Sequence, residues 1–149
     1  MESFAGEHGY TALFLLSFLA STLVPLGSEW LLVALLSNGS DPTLSIAVAT
    51  IGNTLGACTT YAVGMFGGPF LAGRVLRIEP ETRQRAERFY DRYGSWSLFF
   101  SWLPGIGDPL CLVGGILGVG FGKFLLLVFA GKLSRYLVVS LVTLKIVAL

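Results

Sequence analysis

Two helix-breaking stretches inside long apolar blocks constrain this chain more than any other feature. Pro25-Leu26-Gly27-Ser28-Glu29 interrupts a block over 10–36, and Pro104-Gly105-Ile106-Gly107-Asp108-Pro109 interrupts one over 96–120. Two further blocks, 43–70 and 121–149, carry no such Pro-acid stretch. Each block is long enough to face the whole ~30 Å hydrocarbon layer as a helix. Proline removes a backbone donor, glycine loosens the chain, and a carboxylate at bilayer depth costs about 3 kcal/mol on insertion scales. The arm over 11–24, before Pro25, reaches only about 21 Å as a helix, too short to cross. Broken backbone at that depth is tolerated only where protein or a wet cavity surrounds it. These features predict an all-α integral membrane protein.

Composition agrees. Of 149 residues 54% are hydrophobic and 13% charged, about half the charge a soluble domain uses to cover its surface. The chain therefore reads as one membrane domain over 1–149, with no soluble part. A net charge of +1 supplies no basic field for phosphates, which argues against a nucleic-acid partner. Cys58 and Cys111 lie in apolar stretches and the one histidine, His8, is near the N-terminus. Neither a metal site nor a disulfide is expected, and no nucleotide, cofactor or hydrolase motif is present. The expectation is no cofactor and no enzymatic activity. The first ten residues hold Glu2 and Glu7 but no Lys or Arg, so the first apolar segment reads as mature protein rather than a signal peptide.

The most polar stretch runs over 74–94. Glu79-Pro80 suits a helix start and Gly94 a stop, while Ala86, Phe89, Tyr90 and Tyr93 share one face. Glu81 and Arg85 offer an i,i+4 pair on the other. The spacing predicts an amphipathic helix at the membrane surface. Six arginines, 74, 77, 83, 85, 88 and 92, place it in the cytoplasm by the positive-inside rule.

Sliding the chain by 79 residues lays Pro25 on Pro104, Glu29 on Asp108, Gly39 on Gly118 and Gly52 on Gly131. The shared pattern is Pro, three residues, an acid, a turn glycine, then a Gly-bearing helix. It predicts two repeats, about 10–72 and 95–148, each a helical hairpin followed by a transmembrane helix, joined by the amphipathic linker. If the hairpins are re-entrant, the repeats have inverted topology and both chain ends lie outside, as in many transporters with a midplane site. The alternative is four plain spans with kinked first and third helices and cytoplasmic ends.

Glu29 and Asp108 are the carboxylates committed to apolar blocks. Their functional reading is proton exchange; the alternative is an ion pair or a reach to an interface. Lys132 and Arg135 share a helix face, with Tyr136 adjacent, and could hold a lipid phosphate or neutralise the two acids. Asn53 stands at the repeat position of Lys132 and could hydrogen-bond an opened hairpin or simply join two helices. Pro25, Gly27, Pro104, Gly105, Gly107 and Pro109 are the expected hairpin breaks. Trp30, Trp96 and Trp102 read as interface or hairpin-packing residues, and Lys123 and Lys145 as interfacial anchors.

The segments SFLASTLVPLGSEWLLVALL, IGNTLGACTTYAVGMFGG, FYDRYGSWSLFFSWLPGIGD and AGKLSRY resemble the DedA (VTT-domain) membrane proteins, in particular their short YqaA-like branch, over residues 10–145. The resemblance implies two re-entrant hairpins facing each other, a bacterial or archaeal inner membrane, and transport or scrambling of phospholipid or polyprenyl-phosphate with proton coupling. The family's Pro-Gly-acid motif matches Pro25, Gly27 and Glu29 with a shift of about two residues. A second, upstream acid has no counterpart near Ala20 and Ser21. The second hairpin's two arginines fall on Ser101 and Gly107, so a cationic role would move to Lys132 and Arg135. Membrane lipids are the expected partners, and homodimerisation suits so small a chain. The alternative function is a non-transporting assembly or quality-control factor whose buried charges serve packing alone.

Overall fold

The computed structural model describes the backbone of residues 2–21, 28–75, 79–103 and 106–149, and the side chains of 8–21, 28–67, 79–82, 84–103 and 106–149. The described residues are helical, apart from short turns. Helix α1 is Glu2–Ala20, α2 Glu29–Ser37, α3 Pro42–Val75 and α4 Pro80–Tyr93. A 3-10 segment, Gly94–Trp102, leads to α5, Gly107–Ile116, and α6, Phe121–Val147. Pro25 and Gly27 of the first break, and Pro104 and Gly105 of the second, lie outside the described residues.

Length and apolarity together set two of these helices apart. Pro42–Gly67 of α3 and Phe121–Val147 of α6 are long and apolar enough to cross a membrane. Helices α2 and α5, nine and ten residues long, reach only about 15 Å, half the hydrocarbon thickness. Helix α1 begins at Glu2, earlier than the apolar arm alone suggests. Its first turns run through Gly6 and Gly9 into the apolar arm.

The two long helices begin 79 residues apart, at Pro42 and Phe121, and Gly39 and Gly118 stand at the same offset. Both glycines have positive φ, +83° and +70°, which an L side chain rarely adopts. Each closes the preceding short helix with the same pair of bonds. Gly39 N donates to Leu36 O and Ser40 N to Leu35 O; Gly118 N donates to Gly115 O and Val119 N to Gly114 O. This double closure satisfies carbonyls that a helix end otherwise leaves open. Asp41 then caps α3, its Oδ1 accepting from Leu44 N at 3.0 Å, with Pro42 in the first turn where no donor is lost.

Packing follows a crossed scheme. Helix α1 lies along α3 and the 3-10 segment along α6, whereas α2 packs on α6 and α5 on α3. Glycines set the closeness. A Cβ on Gly52 would stand 2.7 Å from Phe14 O, one on Gly56 2.5 Å from Phe18 O, and one on Gly131 would collide with Phe99 O. Gly64 and Gly115 do the same between α3 and α5, against the carbonyls of Leu112 and Tyr61. Small residues permit such backbone contact where no hydrophobic force drives helices together.

The middle of α1 lies beside the end of α2. Gly9 packs on the Leu35 side chain, and Asp41 N donates to Tyr10 Oη at 3.2 Å. The far end of α1 meets mid-α3, where Thr60 Oγ1 donates to Ser21 O at 2.9 Å. Helix α4 has the expected bounds, with Gly94 at its end, φ +61°. Its Ala86 and Tyr90 are buried in a cluster with Leu98, Leu110 and Phe124, so this face meets protein as well as any membrane surface. Tyr93 keeps to the same face at its outer edge. It is exposed, its ring 5.7 Å from those of Phe89 and Phe100.

Candidate functional site

Along α3 and α6, two apolar clusters are separated by a polar layer. Ala57 and Tyr61 of α3 and Val128 of α6 belong to one cluster, Ala49 and Tyr136 to the other. Between them stand Asn53 and Lys132, close to the middle of their spans and 79 residues apart.

Lys132 is 3% exposed. Its Nζ donates to Asn53 Oδ1 and to Ser21 Oγ, the latter at 3.3 Å, and lies 3.6 Å from Asp108 Oδ1. Ser21 Oγ in turn donates to Asp108 Oδ1 at 2.9 Å. One ammonium thereby joins the end of α1, the middle of α3 and the start of α5. An unpaired buried ammonium would be strongly disfavoured, so these partners account for a lysine in an apolar helix.

One turn further along α6, Tyr136 is buried, and its hydroxyl adds the start of α2 to the elements joined. It lies 2.6 Å from Ser28 Oγ and accepts from Asn53 Nδ2 at 3.0 Å. Next to it, Arg135 pairs with Glu29. Their side chains are 26% and 23% exposed, and that of Asp108 is 38% exposed, so these three groups are reachable where Lys132 is not.

Both acids occupy the first turn of a short helix, Glu29 in α2 and Asp108 in α5. The backbone N–H groups there favour negative charge, which explains why an acid follows each Pro break at a fixed distance. Gly107 admits the chain against Ser101 O, where any Cβ would collide, and Pro109 fits the first helical turn. The hydroxyls of Ser17, Thr54 and Ser101 are buried around this layer with no hydrogen-bond partner among the described residues.

All five polar residues singled out in the sequence, Asn53, Glu29, Asp108, Lys132 and Arg135, therefore fall in one layer. The two cations neutralise the two acids, one of the uses their spacing allowed. Sequence reasoning missed Ser21 and Ser28 as members. Ser28 directly precedes Glu29, but a serine beside a break has no distinctive pattern. Tyr136 had a usable signal, standing four residues from Lys132 on the same helix face. Among the described residues no group of His, Cys, Asp or Glu could hold a metal ion.

A helical bundle with two helices long and apolar enough to cross a membrane, and paired charged side chains near their middles, suits an integral membrane protein, and comparison with known proteins agrees. The VTT domain family model matches residues 24–144, and the chain belongs to that family, the DedA proteins. It is 36% identical over 135 residues to inner membrane protein YqaA of Escherichia coli, covering 90% of each chain. An uncharacterized protein of Haemophilus influenzae is 36% identical over 132 residues, covering 83% of this chain and 80% of its own. The uncharacterized membrane protein YkoX of Bacillus subtilis is 31% identical over 120 residues, 76% of this chain and 52% of that one. No solved structure matches the chain.

Proposed function

We propose that this protein carries phospholipid or lipid-phosphate molecules across a bacterial inner membrane, using two inverted repeats whose hairpins turn back at mid-depth. The observation that carries the reading is the gathering of Glu29, Asp108, Lys132 and Arg135 where the short arms meet the middles of α3 and α6. Ionised groups at bilayer depth are costly and face a bundle interior or wet cavity when they serve a pathway. The bond from Asp41 N to Tyr10 Oη supports the re-entrant arrangement. It sets Tyr10, where the apolar arm begins midway along α1, level with the start of α3, whereas four plain spans would hold the two a membrane apart. The 79-residue offset shared by acids, turn glycines and long helices supports the repeat.

On this reading residues 74–94 face the cytoplasm and both chain ends the opposite side. An anionic headgroup enters the layer and meets α6 at its partly exposed cation, Arg135, while Glu29 and Asp108 tune the charge of the layer. The protein moves lipid without covalent chemistry. Reconstituted vesicles test this through the rate at which a fluorescent phospholipid or lipid phosphate crosses the bilayer. Faster crossing than in empty vesicles, altered by Glu29→Gln and Arg135→Ala, is expected. Equal rates for all three proteins would sink the proposal.

A second reading draws on the closure of the two ion pairs on each other. Here the charges specify packing in a membrane assembly or quality-control factor, and buried polar groups serve registry. Charge-neutralising variants would then change melting temperature or oligomer size while lipid flux stays at the empty-vesicle level.

A further inference from the structure

We infer that Arg135 alone is the anion-binding side chain of this layer, with Glu29 as its exchangeable counter-ion, and that Lys132 is a structural staple that never meets the ligand. The inference rests on the lipid-carrying reading for its ligand, an anionic headgroup attached to an apolar chain.

The donor inventory of the two cations carries it. An ammonium has three N–H donors. Two of those of Lys132 are hydrogen-bonded, to Asn53 Oδ1 and Ser21 Oγ, the ammonium lies 3.6 Å from Asp108 Oδ1, and the residue is 3% exposed. Buried to this degree, the ammonium is out of a headgroup's reach, and withdrawing it would strand Asn53 Oδ1 and Ser21 Oγ and leave Asp108 without its counter-charge. A guanidinium has five donors in a planar fork suited to phosphate oxygens. Among the described residues Arg135 has one partner, Glu29, and both side chains are reachable. A phosphate approaching this pair competes with one carboxylate rather than with a buried network.

The surroundings fit a ligand with an apolar tail. From the Glu29–Arg135 pair onward α2 and α6 pack together, Leu32 and Leu36 sharing a cluster with Tyr136 and Val139. Trp30 on α2, and Val138 and Val142 three and seven residues beyond Arg135 on α6, leave apolar surface exposed along that course, Trp30 at 63%. Free inorganic phosphate would gain nothing from it, whereas an alkyl or prenyl chain would.

The test is binding of dodecyl phosphate, with inorganic phosphate as comparison, to the full-length protein in detergent. The fluorescence of Trp30 reports occupancy, with Trp96→Phe and Trp102→Phe removing the other indoles. Saturable binding of dodecyl phosphate is expected, weakened at least about ten-fold by Arg135→Lys at unchanged melting temperature. Glu29→Gln, which removes the competing carboxylate, is expected to tighten it. Lys132→Met should lower the melting temperature while the folded protein keeps wild-type affinity; if that variant fails to fold, Ser21→Ala answers the same question. Loss of affinity in Lys132→Met or Ser21→Ala as large as in Arg135→Lys overturns the assignment, as does the absence of saturable binding by either probe. Equal affinity for inorganic and dodecyl phosphate, both dependent on Arg135, supports the assignment of Arg135 and sinks the lipid ligand instead.

Discussion

Tyr136→Phe removes one oxygen atom and no packing volume, and it isolates the hydroxyl that links α6 to Ser28 and to α3. That hydroxyl lies 2.6 Å from Ser28 Oγ and 3.0 Å from Asn53 Nδ2, in a residue 1% exposed. Two interactions are therefore lost without a cavity. Interhelical hydrogen bonds in a membrane protein average about 0.6 kcal/mol by double-mutant cycles and reach about 1.7. Leaving a buried partner unsatisfied costs about 1–3 kcal/mol in general. Two bonds with buried partners place the expected loss near the upper membrane values, about 2–3 kcal/mol in total. Reversible unfolding in mixed detergent micelles, followed by circular dichroism, measures it. A Ser28→Ala/Tyr136→Phe cycle should show coupling of about 1 kcal/mol, because the two residues share one bond. A loss below about 0.5 kcal/mol, or additive single effects, would mean that the hydroxyl does not hold the tip of α2 against α6.

Gly115→Val should destabilise the protein by about 2 kcal/mol or more, because its Cβ would collide with Tyr61 O and stand 2.9 Å from Met65 N. Gly122→Ala, with nothing within 4 Å of its Cβ, should be neutral or stabilise by up to about 1 kcal/mol in the same melting assay. Burial pushes the phenol of Tyr90 on α4 above the usual tyrosine range. The neutral form is thus favoured in the folded state. The contribution to stability is fully present below the unfolded phenol's pKa of about 10 and is lost as pH rises from there through the folded value. Tyr90→Phe should flatten the alkaline loss of melting temperature, and an unchanged profile would contradict the burial argument.

Much of this architecture was visible in local chemistry. Gly39 and Gly118 read as turn residues, and each does adopt a positive φ after a short helix. Glu79-Pro80 and Gly94 bounded α4 because caps act within a few residues of the helix they close. The 79-residue offset also set Asn53 against Lys132, and the two side chains meet. What stayed hidden depends on tertiary approach. Nothing in the sequence order says that Asp108 meets Lys132 while Glu29 meets Arg135. Ser21 looked like a small residue in an apolar arm until α5 brought a carboxylate to it. The extension of Gly94–Trp102 as a 3-10 segment was equally illegible, since runs of that length are uncommon and leave no compositional mark.

The central claim is that the chain enters and leaves the bilayer on one side before α3 crosses it. Labelling of single cysteines in intact cells with a membrane-impermeant maleimide tests this directly. Cys58→Ser and Cys111→Ser provide the background for His8→Cys, Asn38→Cys and Arg88→Cys. The account requires that residues 8 and 38 react from the outside while residue 88 reacts only after permeabilisation. If residue 8 is protected together with residue 88 while residue 38 reacts, the first block spans the membrane and the account fails.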